Sequence, residues 1–223
     1  MKNYELLSSF YKDIGELGIY EVTENEEYYT IKSDNKIWPK YVFPKLENIN
    51  AVWNRRFEIM EKEDQNIIYP DLNKNINDVP HIIAMSHSGG LGISDYKYNV
   101  IEVKSEEDKE KFSYLNGIFN KEEITNMIES NKFKFYYIDG NPEPSAVAFT
   151  HIKDNRASIY GLYTNKGCRK MGVGRCIMEY IMDDMYNKYG IEEIHLQSTE
   201  MGYSLYEKLR YKALFNYYKI RSK

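Results

Sequence analysis

A chain of 223 residues, 42% hydrophobic and 29% charged, has enough apolar side chains to bury a core, which excludes an intrinsically disordered segment. Its net charge of −4 gives no overall basic footprint, so no nucleic-acid partner is expected. No run reaches the length of a membrane span, so no membrane partner is expected either.

In chain order, the opening "MKNYELLSSFYKDIGELGIY" is broken by charges too often for a signal peptide, and the expected compartment is the cytoplasm. Residues 1–95 alternate poorly and read as a separate, smaller α/β domain. Within them, "YYTIKSDNKIWPKYVF" reads as two strands around a turn. "INAVWNRRFEIMEKED" reads as a helix with Val52, Phe57, Ile59 and Met60 facing a core, and Trp38 and Trp53 belong to that core. His81 and His87 flank "IIAMS", but two histidines without a third ligand make no metal site, and no metal is expected. Ser88, in "SHSGG", lacks the Gly-x-Ser-x-Gly spacing of a nucleophile elbow and reads as part of a turn.

Residues 96–223 are more regular and read β-α-α-β-β-β-α-β-α-β. "YNVIEVKS" is a strand. "SEEDKEKFSYLNGIF" is a helix opened by Ser105 and Asp108 at capping-box spacing, and "KEEITNMIESN" is a second helix. "FKFYYIDGNPEPSAVAFTHIKDNRASIYGLYT" reads as three strands turned at Asp139-Gly140 and Asp154-Asn155. A helix follows with Val173, Ile177, Tyr180 and Ile181 on one face, closing at Lys188 and Gly190. "IEEIHLQS" is a strand, "EMGYSLYEKLR" a helix and "YKALFNYYKIR" a closing strand. The two cysteines, Cys168 and Cys176, show no CxxC spacing and read as reduced.

Between strand and helix lies "CRKMGVGR". A strand turning through glycines into a helix presents backbone N–H groups at the positive end of the helix dipole, an arrangement suited to phosphate. Gly172 and Gly174 carry no Cβ, and Arg169, Lys170 and Arg175 add charge. The bland alternative is a tight start to the helix with solvated cations. The segment lacks the Gly-Lys-Ser/Thr of a P-loop and the third glycine of a dinucleotide fingerprint.

With this segment and "YSLYEKLRYKALFNYYKI" in hand, residues 97–223 resemble the GNAT superfamily of N-acetyltransferases. Arg169-Lys170-Met171-Gly172-Val173-Gly174 is similar to the family's Arg/Gln-x-x-Gly-x-Gly/Ala. The second segment is similar to its Leu-Tyr-x-Lys-x-Gly-Phe. Thr199, Gly202 and Arg210-Tyr211 depart from the family pattern. The resemblance implies a mixed, mostly antiparallel sheet flanked by helices, and acetyl-CoA as co-substrate. It also implies a coenzyme site of Leu162, Tyr163, Thr164, Arg169, Lys170, Met171, Gly172, Val173, Gly174 and Arg175. The first half is then either an independent domain or a degenerate copy of the same fold, walling one side of the acceptor cleft.

Acetyl transfer from a thioester to an amine needs an unprotonated amine, donors for the oxyanion and an acid for the departing thiolate. By resemblance the acid is Tyr206, a phenol that is protonated at pH 7; without it, Tyr206 is a core residue beside Leu205 and Leu209. The N–H of Leu162 or Tyr163 is the oxyanion candidate. The strand "RASIYGLYT" carries no carboxylate, so Glu200, His195, Tyr160 and Tyr203 stand as candidate bases and none is assigned. The expected activity is N-acetylation of a primary amine, on a small molecule or a peptide N-terminus. A non-catalytic acyl-CoA sensor and, less favoured by length and charge, a tRNA-dependent aminoacyltransferase stand as alternatives.

Overall fold

The computed structural model describes residues 2–32, 41–63, 65–70, 82–90, 92, 95–140 and 143–220. Trp38, His81 and the turn of the first predicted hairpin lie outside the described residues. The chain divides into two compact units, one of Met1–Met85, Gln197–Ser204 and Lys212–Lys223, the other of Ser86–Leu196 and Leu205–Tyr211.

The first half opens with a helix, α1 (Lys2–Glu16), which buries Leu6, Phe10 and Ile14 at four-residue spacing. It continues through β1 (Glu21–Glu24), β2 (Tyr28–Lys32), β3 (Tyr41–Pro44), α2 (Ile49–Asn54), α3 (Arg56–Glu63), β4 (Asn66–Pro70) and β5 (Ile82–Ser88). β1, β2 and β3 form an antiparallel meander, and β4 returns parallel to β3 after the two helices. Val42, Val52, Ile59 and Ile67 pack in one core, each worth about 1.5–3 kcal/mol on burial. Trp53 is partly buried against it, its ring 4.6 Å from that of Tyr69.

Phe57 departs from expectation: it is 53% exposed. The predicted single helix breaks at Arg55, which leaves helical geometry at φ −105°, so α3 starts in a new phase. Phe57 then faces outward under the Arg56 guanidinium, 4.4 Å from its ring.

The second half continues with β6 (Val100–Glu102), α4 (Glu106–Asn116), α5 (Lys121–Glu129), β7 (Phe133–Ile138), β8 (Ala146–Lys153) and β9 (Arg156–Thr164). After these come α6 (Val173–Asn187), β10 (Glu193–Ser198), α7 (Glu200–Lys208) and β11 (Lys212–Ile220). In the first unit β11 lies antiparallel to β4, with Tyr217 opposite Pro70. In the second, β6 to β9 are antiparallel neighbours and β10 is parallel to β9. The fold is thus mixed α/β with mostly antiparallel pairing, as the sequence implied. β8 is buried along Ala146–His151 on both of its faces, which requires cover on both; α4 and α6 both pack against it.

The capping signals are realised. Ser105 accepts from the Asp108 N–H at 3.1 Å, and the Asp108 carboxylate accepts from the Ser105 N–H at 2.8 Å. Burial opposes ionisation of Asp108, but those amide bonds and the Tyr137 hydroxyl outweigh it and hold its pKa at about 2.

Candidate functional site

β9 carries a bulge. Val147 pairs with Tyr163 and Phe149 with Tyr160, so Gly161 and Leu162 together face Ala148. Gly161 adopts φ +62°, a conformation open to glycine at little cost. The β9–β10 ladder ends at Ile159 and Leu196, while β9 runs on through Tyr160–Thr164. Tyr163 and Thr164 therefore stay paired with Val147 and Ala146 of β8, while the edge of β9 that faced β10 is left unpaired by it just ahead of the loop.

After β9, Asn165 accepts from the Gly167 N–H at 3.2 Å and starts a short 3-10 turn, Lys166–Cys168. Arg169 Nε donates to the Thr164 carbonyl at 3.2 Å, tying the loop back to the strand. Lys170 sits at φ +63° and Gly172 at φ +87°. Gly172 is the N-cap of α6 and, having no side chain, supplies no cap bond. The first intrahelical bond is from the Cys176 N–H to the Gly172 carbonyl at 2.9 Å. The N–H groups of Val173, Gly174 and Arg175 precede it and have no acceptor within the helix.

The two glycines have different reasons. A Cβ at Gly172 meets nothing within 4 Å, so only its backbone angle demands glycine. A Cβ at Gly174 would come within 3.0 Å of Thr164 Oγ1 and 3.9 Å of Leu205 Cδ2. This brings the loop, the end of β9 and the residue preceding Tyr206 to one place. α6 is held by an apolar face of Val173, Ile177, Ile181 and Met185, all buried. Tyr180, expected on that face, is half-buried.

Among the described residues Arg169 and Lys170 have no carboxylate partner, whereas Arg175 pairs with Glu179 at 2.7 Å. Met171 and Tyr163 are exposed. Sequence reasoning missed two neighbours of the loop. Tyr98 Oη and Lys97 Nζ both donate to the Met171 carbonyl, at 2.9 and 3.3 Å. The strand read in "YNVIEVKS" begins at Tyr98, but nothing in the sequence pointed to a contact with Met171.

Tyr206 is half-buried, its ring edge-on to Tyr211 at 5.9 Å. Its hydroxyl takes no hydrogen bond among the described residues, and burial pushes its pKa up to about 12. The candidate bases differ in burial and partners. His195 is buried opposite Ser158, its Nε2 3.3 Å from a Glu193 carboxylate oxygen. Tyr160 is buried, and burial raises its pKa; Glu200 is exposed and Tyr203 half-buried. His87 Nδ1 lies 2.8 Å from the Tyr186 hydroxyl, which donates to the His87 carbonyl at 3.0 Å. Tyr186 is fourteen residues along α6 from Gly172, about 20 Å at the rise of a helix. His87 is therefore a satisfied buried residue remote from the loop. Burial and the nearby Arg210 charge lower its pKa. Ser88 ends β5 and is exposed.

A cavity of about 330 Å³ lies between α4 and the turn ahead of β8, lined by Glu110, Lys111, Tyr114, Glu143 and Pro144. Tyr114 Oη donates to Glu143 at 2.7 Å, and Asn165 Nδ2 reaches the same carboxylate at 3.4 Å, so the cavity adjoins the end of β9. Among the described residues there is no group of three or more His, Cys, Asp or Glu that can hold a metal, and no helix long and apolar enough to cross a membrane.

Residues 100–218, over half of the chain, match a family model described as an acetyltransferase (GNAT) domain. No curated protein matches the chain in sequence. Solved structures resemble it in fold at low identity. A GCN5-related N-acetyltransferase from Kribbella flavida aligns over 98% of this chain and 96% of its own, at 14% identity and TM-score 0.65. A putative GNAT acetyltransferase from Novosphingobium aromaticivorans aligns over 92% and 93%, at 14% identity and TM-score 0.57. A functionally unknown protein from Staphylococcus epidermidis aligns over 89% and 91%, at 13% identity and TM-score 0.58.

Proposed function

This chain belongs to the GNAT acetyltransferase family, and we propose that it transfers an acetyl group from acetyl-CoA to a primary amine by direct attack on the thioester. The observation that carries this reading is the uncapped start of α6. Three helix N–H groups without intrahelical acceptors, a glycine at φ +87° and two cations without carboxylate partners form a receptor for an anion. The coenzyme's pyrophosphate fits that chemistry. Leu162, Tyr163 and Thr164 then offer main-chain groups to the pantetheine arm where β9 has left β10, and an N–H of Leu162 or Tyr163 faces the developing oxyanion. Arg169 and Lys170 supply charge; Arg175, paired with Glu179, contributes mainly through its backbone N–H.

In the reaction the neutral amine's nitrogen bonds to the acetyl carbon and releases a proton to solvent, the carbon–sulfur bond breaks, and the thiolate takes a proton from a donor that is reprotonated from solvent. Tyr206 is the donor in this reading. Its raised pKa keeps it protonated throughout the physiological range, and its hydroxyl has no competing partner. The acceptor is a small molecule or peptide N-terminus. Glu143, beside the end of β9, and Glu110 in the same cavity outnumber its one cation among the described residues, Lys111, and favour an acceptor bearing positive charge.

One observation favours a second reading, an acyl-CoA-binding module without turnover: β9 offers no carboxylate to take the amine's proton. Amine-dependent release of coenzyme A thiol by the wild type separates the two, and Tyr206→Phe then tests the acid. It keeps the ring and removes the acid, so kcat should fall about 10²–10⁴-fold with acetyl-CoA affinity nearly unchanged. An unchanged kcat would return Tyr206 to the core.

A further inference from the structure

The Met171–Gly172 peptide is the last before α6, and its orientation decides where the Gly172 N–H points. In a planar trans peptide, the C=O and N–H of one unit point in opposite directions. The Met171 carbonyl is held on one side by two donors, the Tyr98 hydroxyl at 2.9 Å and the Lys97 ammonium at 3.3 Å. The Gly172 N–H is thereby turned to the other side.

The donors are themselves fixed. The Lys97 ammonium lies 5.1 Å from the centre of the Tyr98 ring, and the Tyr98 carbonyl lies 3.7 Å from Cys176 Sγ on the first turn of α6. The segment is thus attached to the loop ahead of Gly172 and to the helix behind it. Glycine at φ +87° has other accessible conformations, so such a peptide needs an outside hold to keep one of them. Lys97 and Tyr98 precede the family match at residue 100, so the family pattern does not supply them.

We propose that Tyr98, with Lys97 as a second donor, is a positioning residue for coenzyme binding. It sets the Met171–Gly172 peptide so that the Gly172 N–H joins those of Val173 and Gly174 in facing the pyrophosphate. This rests on the reading of the loop as a coenzyme site. Neither side chain touches the coenzyme in this arrangement; both act through the Met171 carbonyl.

Tyr98→Phe removes the hydroxyl and keeps the ring. Lys97→Met removes the exposed ammonium and keeps most of the side-chain length. Coenzyme A and 3′-dephospho-coenzyme A are titrated calorimetrically into the wild type, both single variants and the double variant, and thermal midpoints are recorded. The loss of one hydrogen bond predicts affinity about three- to tenfold weaker for Tyr98→Phe, more for the double variant, and equal for the two ligands. Thermal midpoints should stay unchanged, because the lost bond orients a surface loop. Wild-type affinity in the double variant would overturn the proposal. A loss confined to coenzyme A, absent with the dephospho form, would also overturn it, since it would make these side chains direct ligands of the 3′-phosphate. A wild-type protein that binds neither ligand would instead refute the coenzyme reading, and the inference with it.

Discussion

Replacing Gly172 by alanine tests the loop with the least interference from packing. The added Cβ meets no atom within 4 Å, so the perturbation is one of backbone angle alone. An L-residue held at φ +87° in the left-handed region costs roughly 1–2 kcal/mol relative to glycine. That energy has two outlets. If the loop keeps its shape, unfolding becomes easier by this amount, a fall of about 2–8 °C in thermal midpoint for a chain of this size. If the loop relaxes, stability is retained and the N–H groups lose their aim, so coenzyme A binds about 5–30-fold more weakly. Calorimetric titration and thermal unfolding on the same variant read both outlets. Gly172→Asn should lose less than Gly172→Ala, because asparagine tolerates this region better. A Gly172→Ala protein with wild-type affinity and wild-type stability would refute the argument that the loop depends on this conformation.

Gly174→Ala should weaken coenzyme A binding as its Cβ presses on Thr164 Oγ1, and Thr164→Ala in the same chain should recover part of the affinity; additive losses would contradict this. With Tyr206 titrating at about 12, kcat should show no alkaline fall attributable to this acid between pH 7 and 10; a falling limb near pH 8 that disappears in Tyr206→Phe would count against the assignment. Burial also raises the pKa values of Tyr136, Tyr160 and Tyr211 above the ordinary value of about 10. Their contribution to stability is complete below that value and is lost as pH rises through the folded-state values, so the urea midpoint should fall above about pH 10. A midpoint at pH 11 equal to that at pH 8 would contradict it.

Local signals made most of the second half legible. Ser105 and Asp108 marked the start of α4 because a cap needs only neighbours three residues apart. Asp154-Asn155 marked the tight turn between β8 and β9, where Asp154 adopts φ +55°. The two glycines announced the start of α6, but their separate reasons did not show. The Gly174 constraint comes from Thr164, ten residues away, and the Gly172 constraint from its backbone angle alone.

What depends on distant partners was hidden. The Gly161 bulge is a register relation with Ala148 on β8 and leaves no pattern within β9. The hold of Tyr98 on Met171 spans 73 residues. The pairing of β11 with β4 joins segments nearly 150 residues apart, beyond any local periodicity. The helix over Lys2–Glu16 was within reach. Leu6, Phe10 and Ile14 are spaced for one helical face, a local pattern that the charges between them do not interrupt. Phe57 is the opposite case: the apolar period runs on through Arg55 in the sequence, and the backbone breaks it there.

The central claim is transfer from acetyl-CoA to an amine, and release of free coenzyme A thiol tests it most directly. The wild-type protein is incubated with acetyl-CoA and a panel of primary amines spanning cationic metabolites, aminoglycosides and peptides with free N-termini. The account predicts amine-dependent thiol release with at least one cationic acceptor, and its collapse in Tyr206→Phe. Tight binding of acetyl-CoA with no release above the amine-free rate across the panel would contradict it and establish the chain as an acyl-CoA-binding module.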